Sequence, residues 1–287
     1  MSKETLFVSF SGGRTSAYMC WWLLENKADE YDLIFVFANT GQEHEKTLEF
    51  VDRCDREFGL NLVWVEAVVH HGEKKGCTHR IVTFETASRA GEPFEEVIKK
   101  YGIPNATFLN CNRELKINAM WSYKRSIGFR AKHLSAIGIR VDEIDRMSPT
   151  AKSDGLLYPL ISMKPTTKAE IRHWWAQQEF DLDIPEHLGN CVTCWKKSDR
   201  KLMTIARHEP ERFEFFDRME RTYPDAGAGG GGRVFFRRHR SSQDIIASSK
   251  IPFVEFVDHM PELQLKIGFE IDELDIESGC GESCEAA

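Results

Sequence analysis

Residues 6–16, Leu-Phe-Val-Ser-Phe-Ser-Gly-Gly-Arg-Thr-Ser, decide the fold that we predict for this chain. The run at 6–10 is apolar and β-prone, and Gly12 with Gly13 predicts a tight turn. From Ala17 onward, apolar residues recur at roughly helical spacing. The segment therefore predicts a strand, a glycine turn and a helix in direct succession.

A second unit of the same kind follows the first. It has a strand at 33–38, a loop at 39–42 and a helix at 43–58, and a third strand comes at 61–69. Strands that alternate with helices in this way predict an α/β fold with a doubly wound, mostly parallel sheet.

The rest of the chain is predicted to be mainly helical. A helix from Pro93 to about residue 102 is followed by a helix at 111–127 and a short strand at 132–136. Thr167 and Glu170 have capping-box spacing, an amphipathic helical stretch covers 198–223, and the glycine-rich run 226–232 predicts a flexible loop. We expect three parts, a sheet domain at 1–165, a helical C-terminal region at 166–269 and a tail at 270–287.

The negative charge of the chain is concentrated at one end. The 287 residues include 38 basic and 45 acidic side chains, and seven acids but no base follow residue 269, so residues 1–269 are neutral overall. The net charge of -7 is therefore compatible with a nucleotide or nucleic-acid partner. No apolar run approaches the roughly 20 residues of a membrane span, and no signal-peptide core follows Met1. We expect a cytoplasmic protein without a membrane segment.

The loop after the first strand has the chemistry of an anion site. Glycine lets the backbone approach an anion closely, and the following helix N-terminus offers N–H donors. The remaining donors are side chains, so the candidate residues are Ser9, Ser11, Gly12, Gly13, Arg14, Thr15 and Ser16. The loop has neither the Gly-x4-Gly-Lys-Ser/Thr nor the Gly-x-Gly-x-x-Gly signature, and a plain turn is the alternative.

Three ordered motifs make a family resemblance specific. They are the loop at 9–16, Phe-Ala-Asn-Thr-Gly-Gln-Glu at 37–43, and Gly-Ile-Arg-Val-Asp-Glu at 138–143 with Arg146. Together they resemble the phosphoadenosine-phosphosulfate (PAPS) reductase-like branch of the ATP pyrophosphatase, or PP-loop, superfamily. The likeness is greatest to bacteriophage proteins of that branch and to DNA phosphorothioation enzymes that transfer sulfur.

The resemblance implies a HUP-like nucleotide-binding domain at 1–165 that takes ATP, or a related adenine nucleotide, with Mg²⁺. The first loop would bind the phosphates, and the adenosine would lie near Asn39, Thr40 and Gly41. Negative charge would be held after Gly138, by Arg140 and Arg146. Ion pairs with neighbouring acids are the alternative for these two arginines. Many ATP-cleaving members have Lys and Asp where this chain has Arg14 and Thr15.

Cysteine spacing indicates a metal or sulfur site. Cys191 and Cys194 form the only C-x2-C of the sequence, and Cys111 is the best third ligand because basic residues flank it at a helix start. Three thiolates with an open fourth position suit a [4Fe–4S] cluster, whereas zinc would more typically have four protein ligands. A thiol pair without metal is a further alternative. The resemblance matches the same three cysteines to cluster ligands.

The other cysteines carry weaker signals. Cys20 and Cys54 fall on apolar helix faces and are predicted to be core residues, whereas Cys77 is predicted to be an exposed loop thiol. Cys280 and Cys284 lie in a tail motif that lacks the Glu and His of PAPS reductases. This difference argues against sulfonucleotide reduction.

Residues 233–240 form a basic segment in which Phe235 and Phe236 stand between arginines. Cationic and aromatic side chains in one segment favour closure over a bound polyanion, with the glycine run as a hinge. A solvated edge strand, or a partner for the acidic tail, is the alternative.

These observations favour an enzyme that binds ATP, adenylates its substrate and transfers sulfur, with Cys111, Arg140 and Arg146 as its catalytic residues. The acceptor would be a nucleic-acid group or a small metabolite, the sulfur donor is not assigned, and a homo-oligomer is compatible with the sequence. One alternative is a PAPS reductase that uses a C-terminal thiol. Another is a protein that binds an adenine nucleotide without turnover.

Overall fold

A six-stranded sheet forms the centre of the structure, a computed structural model that describes residues 3–72, 75–129, 133–228 and 231–258. The neighbouring strands are parallel except for one antiparallel pair at an edge, β3 with β4. The predicted doubly wound, mostly parallel α/β sheet is confirmed. In chain order the strands are β1 Glu4–Phe10, β2 Tyr31–Asn39, β3 Val63–Val69, β4 Cys77–Val82, β5 Leu134–Ala136 and β6 Leu156–Leu157.

The strand order, β4-β3-β2-β1-β5-β6, reverses direction beside β1. The chain moves outward from β1 through β2 and β3, and it later returns to the other side of β1 as β5. A doubly wound sheet binds its ligands outside the carboxyl ends of the strands at such a reversal. The carboxyl ends of β1 and β5 therefore mark the crevice in which a site is expected.

Helices cover the sheet and continue into the C-terminal region. Because crossovers are right-handed, α1 and α2 lie on one face of the sheet and α4 on the other. A π-helical turn at Asn112–Ile117 leads directly into α4. None of the described helices has the length and apolar character that crossing a membrane requires. The α-helices are α1 Arg14–Lys27, α2 Glu45–Phe58, α3 Glu92–Tyr101, α4 Asn118–Ser126, α5 Ala151–Asp154, α6 Pro159–Ser162, α7 Lys168–Trp175, α8 Asp199–His208, α9 Glu214–Thr222 and α10 Ser242–Ser249.

Most predicted elements are present, but two segments differ from the prediction. Residues 77–82 form the edge strand β4, which the sequence did not indicate because only Cys77 and Val82 are buried and no alternation is visible. The stretch at 198–223 is two helices, α8 and α9, rather than one. Pro210 cannot donate the backbone bond of a continuing helix, and Glu209 before it has non-helical angles of φ -137° and ψ 61°.

The two aromatic residues of the basic segment are part of the core, whereas Arg238 and His239 are exposed. Phe235 and Phe236 are buried, and the ring of Phe235 lies 4.4 Å from that of Phe216. The prediction that these two rings are available for stacking is therefore wrong, because burial of aromatic surface within the protein stabilises the fold more than exposure does. Arg240 forms an ion pair of 2.6 Å with Asp199 of α8.

A largely buried carboxylate, that of Glu186, joins the helical region to the segment that precedes Cys191. Glu186 accepts hydrogen bonds from Lys168 Nζ of α7 at 2.6 Å and from Lys201 Nζ of α8 at 3.1 Å, and Arg172 Nη2 lies 3.3 Å away. Burial acts to raise the pKa of Glu186, but the charges of Lys201 and Lys168 outweigh burial and lower the pKa to about 2. This cluster fixes where α7, α8 and the segment before the cysteines meet.

We expect Glu186→Gln to lower the free energy of unfolding at pH 7 by about 1–2 kcal/mol, because three partly buried cations lose the counter-charge that they share. The folded-state pKa of Glu186 is depressed, so its contribution is complete above the ordinary value of 4.5 and is lost as the pH falls towards 2. Urea unfolding of both proteins between pH 7 and pH 3 measures this difference. The exposed pair of Glu57 with Arg53 supplies the control, since Glu57→Gln should cost less than about 1 kcal/mol. A constant gap between wild type and Glu186→Gln across this range would contradict the assignment.

Candidate functional site

The predicted anion loop joins the carboxyl end of β1 to the first turn of α1. Gly12 has a φ of +88°, and a Cβ atom at this position would lie 2.8 Å from Cγ2 of Thr47, so both the backbone and the packing require glycine. Gly13 is the N-cap of α1 and has no side chain to occupy the N–H groups of the first turn. Those N–H groups are the donors that a helix N-terminus offers to an anion.

Serine hydroxyls hold the loop in shape. Ser11 Oγ and Ser16 Oγ are 2.8 Å apart, the backbone N–H of Ser11 donates to Ser16 Oγ at 3.1 Å, and Ser16 Oγ donates to the carbonyl of Gly13 at 3.0 Å. Ser9, which lies in β1 two residues before Ser11, lines a cavity on the sheet instead. The hydroxyls of Ser11 and Ser16 thus have a structural role in addition to any contact with a ligand.

Arg14 and Thr15, which depart from the common family pattern, face different partners. The Nε atom of Arg14 donates to Asp181 Oδ1 at 2.6 Å, and its guanidinium also bonds the carbonyl of Leu182. Arg14 therefore anchors the segment that follows α7. Thr15 Oγ1 accepts a hydrogen bond of 2.8 Å from Arg140 Nη1, so the loop is joined to the chain that follows β5.

The bond between Thr15 and Arg140 spans the reversal in strand order. Arg140 is buried, and it also pairs with Asp142 at 3.1 Å and with Glu143 at 3.3 Å. Arg146 pairs with Glu143 as well. Both arginines therefore form ion pairs with neighbouring acids, which was the predicted alternative to anion binding. Arg140 in addition donates a hydrogen bond to the loop. Gly138 lies between β5 and Arg140, at the same crevice.

The loop after β2 is held by a buried polar network. Asn39 Nδ2 donates to Glu66 Oε1 at 2.6 Å and to the carbonyl of Ser88 at 2.8 Å. Glu66 is fully buried and also accepts two bonds from Arg80, at 2.6 and 3.0 Å. The side chain of Asn39 is therefore engaged with the protein. Thr40 and Gly41 follow, and Thr40 lines the cysteine cavity described next.

Cys111, Cys191 and Cys194 line one cavity of about 40 Å³. Cys111 precedes the π-helical turn, whereas Cys191 and Cys194 occupy a tight turn in which Cys194 N–H donates to the carbonyl of Cys191 at 3.1 Å. The sequence predicted that Cys111 and the C-x2-C pair, which begins 80 residues later, belong to one site. The structure places all three cysteines at one cavity.

Two lysines set the electrostatics of this cavity. Burial raises the pKa of Cys191, with a further increase from Glu43, while the charges of Lys197 and Lys116 act in the opposite direction. Lys197 Nζ donates to the carbonyls of Gly189 at 2.9 Å and Val192 at 2.7 Å, so it also shapes the cysteine turn. Lys116 lines the cavity and is buried. The lysines would offset the negative charge of thiolate ligands.

The three cysteine thiols of this cavity can be compared with what a zinc ion and a cluster each require. Among the described residues, no three His, Cys, Asp or Glu side chains are placed to hold one metal ion. A single zinc would need its sulfur ligands about 2.3 Å away and hence close to one another, whereas cluster cysteines bind separate irons. Thr193 Oγ1 and Trp195 Nε1 are buried beside the cysteines without a hydrogen-bond partner. Such polar hydrogens can donate to cluster sulfurs.

The anion loop and the segment that leads into the cysteine turn line one cleft. Gly13 and Arg14 line a small cleft of about 20 Å³ together with Gly189 and Asn190. Asn190 directly precedes Cys191 and has a left-handed backbone with φ 57°. The glycine loop and the cysteine turn are therefore neighbours in the structure.

A second, larger cavity of about 290 Å³ lies on the α4 face of the sheet. Ser9 of β1 and Val36 of β2 form part of its wall. The helix side supplies a stripe with spacing i, i+3, i+4 and i+7, namely Ile117, Met120, Trp121 and Lys124. Cys111, Asn112, Leu115 and Lys116 face the cysteine cavity. The π-turn and α4 thus form a wall between the two cavities.

The remaining cysteines divide into three cases. Cys20 and Cys54 are fully buried, as predicted. Cys77 is also buried, in β4, so the prediction of an exposed loop thiol is wrong; burial and the neighbouring carboxylate of Glu114 raise its pKa to about 12. The loop assignment failed because β4 was not recognised. Cys280 and Cys284 lie outside the described residues.

The chain is similar to several known proteins. A family model described as phosphoadenosine phosphosulfate reductase domain matches residues 5–148. A nin region protein of Escherichia phage lambda is 36% identical over 205 residues, which cover 70% of this chain and 69% of that protein. A protein of Methanocaldococcus jannaschii is 28% identical over 138 residues, covering 48% of this chain and 23% of that protein. A PAPS reductase structure from Candida auris aligns with a TM-score of 0.36 at 15% identity, over 61% of this chain and 73% of that chain.

We expect Gly12→Ala to lower the free energy of unfolding by about 1–3 kcal/mol, because it combines a positive φ with the 2.8 Å contact to Thr47. It should also abolish measurable binding of pyrophosphate, since the loop must move to relieve the contact. Gly59→Ala is the matched control, because Gly59 has a φ of +68° but open space around its Cβ position. Calorimetric titration and thermal unfolding compare the variants. Equal pyrophosphate affinity in Gly12→Ala and Gly59→Ala would show that this loop is not the anion site.

Proposed function

Because the chain belongs to the phosphoadenosine phosphosulfate reductase domain family, a family of enzymes that act on adenine nucleotides or sulfonucleotides, we propose that it uses ATP to adenylate a substrate and then transfers sulfur to it. The observation that carries this proposal is the placement of Cys111, Cys191 and Cys194 in one cavity beside the phosphate loop. A reaction that couples a nucleotide to sulfur needs both features in one site.

The loop supplies the groups that a triphosphate requires. The first turn of α1 offers backbone donors, and Gly12 and Gly13 allow close approach of the phosphate oxygens. Arg140 contributes positive charge at Thr15 and restrains the loop across the sheet. Mg²⁺ would accompany ATP. The loop would also hold the pyrophosphate when the acceptor oxygen attacks the α-phosphorus and the bond from the α-phosphorus to the bridging oxygen breaks.

The cysteine cavity supplies the second half of the reaction. Cys111, Cys191 and Cys194 would be the ligands of a [4Fe–4S] cluster, with Lys116 and Lys197 offsetting its negative charge. Such a cluster, when bound by three cysteines, supplies an iron with an open position that can hold the sulfur to be transferred. The adenylated acceptor, a nucleic-acid group or a small metabolite, would lie at the cleft of Gly13 and Asn190, where AMP departs as sulfur replaces oxygen.

We expect anaerobically purified protein to contain about four iron and four sulfide ions per chain, with absorbance typical of a [4Fe–4S] cluster. Cys111→Ala, Cys191→Ala and Cys194→Ala should each lose most of this iron, because each removes one ligand. Cys54→Ala is the control, since Cys54 is a buried core residue away from the cavity. Elemental analysis measures both ions. Wild-type protein with almost no iron would overturn the cluster assignment.

A second assay separates the proposed reaction from its alternatives. Release of pyrophosphate and AMP from ATP, dependent on an acceptor and on Cys111, would support adenylation with sulfur transfer. Sulfite release from PAPS, lost in Cys280→Ser or Cys284→Ser, would instead identify a sulfonucleotide reductase. Nucleotide binding with neither product would identify a binding protein without turnover.

A further inference from the structure

Phe108 is an exposed aromatic residue on a fixed turn that leads into the cysteine cavity. It is 39% exposed. Asn105 Oδ1 accepts hydrogen bonds from the N–H groups of Thr107 at 3.0 Å and Phe108 at 3.2 Å. Asn105 Nδ2 donates to the carbonyl of Val234 at 3.1 Å, which holds the turn against the basic segment at 233–240. The ring of Phe108 is therefore kept at the surface by the hydrogen bonds of its turn.

An arginine of the basic segment covers one part of this ring. The guanidinium carbon of Arg233 lies 3.7 Å from the ring centroid of Phe108. Arg233 is buried and donates to the carbonyls of Tyr101, at 3.3 Å, and Ala228, so its position is fixed. An exposed aromatic ring that rests on a fixed guanidinium offers a surface on which a flat heterocycle can stack.

The other end of the basic segment presents two cationic or polar side chains to solvent. Arg238 and His239 have left-handed backbones with φ 60° and 55°, and such strained positions concentrate at ligand-binding sites. The N–H of Phe236 donates to the carbonyl of Arg240 at 3.1 Å, which closes the turn between them. The side chains of Arg238 and His239 are exposed, and within the described part of the chain neither forms a hydrogen bond or an ion pair. Their N–H groups are available to an anion.

The basic segment places both features beside the cysteine cavity. Arg237 Nη2 donates to the carbonyl of Lys196, two residues after the C-x2-C turn, at 3.1 Å. At the other end, Phe108 lies three residues before Cys111, so their Cα atoms are at most about 11 Å apart. Between these ends the segment packs against Phe216, which lines the cavity. A ligand that extends along the segment therefore lies next to the proposed sulfur site.

The combination of groups indicates the class of ligand. The exposed ring suits an unpaired base, and the donors at 238–239 suit phosphate oxygens. A chain of nucleotides supplies bases and phosphates together, and it is long enough to use both ends of the segment. An acidic protein would satisfy the cations, but it would not account for an aromatic ring held at the surface on a guanidinium.

We propose that this surface binds a single-stranded nucleic acid, with a base stacked on Phe108 and backbone phosphates bound by Arg238 and His239. This inference rests on the proposed function and names its acceptor as a nucleic acid rather than a small metabolite. A strand bound along the basic segment would bring one of its nucleotides to Cys111, where the proposed sulfur transfer takes place.

The first test measures stacking. Fluorescently labelled oligonucleotides of about 12 nucleotides, as single-stranded RNA, single-stranded DNA and a duplex of the same sequence, are titrated with the full chain. One of the single strands should bind about tenfold more tightly than the duplex, whose bases are already stacked. Phe108→Ala should weaken binding of that strand about tenfold, whereas Phe108→Trp should retain it. Ile81→Ala, at an exposed apolar residue of β4, is the control and should have no effect.

The second test measures the phosphate contact through its dependence on salt. Arg238→Gln should lower the slope of log K against log salt concentration by about 0.7, the value for one phosphate contact with a single strand. Arg56→Gln, at an exposed arginine of α2, changes the net charge by the same amount and should leave the slope unchanged.

Equal binding of duplex and single strand, together with unchanged affinity in Phe108→Ala, would overturn the inference. So would displacement of the strand by polyglutamate at equal charge concentration, which would indicate an acidic protein as the partner. If no oligonucleotide binds while a small acceptor supports release of pyrophosphate from ATP, only this inference fails. If the strand binds as expected but no pyrophosphate is released in its presence, the binding surface stands and the proposed function fails.

Discussion

The hydrogen bond between Arg140 and Thr15 joins the two halves of the sheet at the place where the strand order reverses. β1 has parallel partners on both sides, and its carboxyl end opens into the anion loop. On the other side of the reversal, the chain that follows β5 places Arg140 against that loop. The buried guanidinium is paired with Asp142 and Glu143, so its position is fixed from both directions. The loop, the crevice and the first turn of α1 all depend on this arrangement.

Charged side chains also fix other loops of the site through hydrogen bonds. Glu66 holds the loop after β2 through Asn39, and Glu186 holds the segment before the cysteines. Lys197 donates hydrogen bonds to the carbonyls of Gly189 and Val192 and thereby holds the cysteine turn. Hydrophobic burial alone does not specify the shape of an irregular loop, because it is not directional. Hydrogen-bonded charges are directional, and each of these groups fixes a loop that the proposed reaction uses.

The sequence was sufficient for the features that depend on local patterns. The glycine turn after β1, the capping box of α7 and the C-x2-C turn each follow from residues that are near one another in the chain. It was insufficient where the decisive contact is tertiary. Cys77 was predicted to be exposed because β4, the strand that buries it, is polar at its centre. Stacking of Phe235 on a polyanion was one of two readings of the basic segment, because the packing of Phe235 against Phe216 is not visible in the sequence.

The helix that begins with the π-turn explains how one site can serve two chemistries. Successive residues of a helical turn point in different directions, so Lys116 can face the cysteine cavity while Ile117 faces the larger cavity. A helix with its side chains is about 10 Å thick, which sets the distance between the contents of the two cavities. Sulfur at the cysteines and a ligand of the larger cavity would be kept apart by this wall. They would meet only at its N-terminal end, where Cys111 lies at the carboxyl edge of the sheet. Phosphates bound at the anion loop would lie at that same edge, so the proposed reaction would take place where both cavities approach each other.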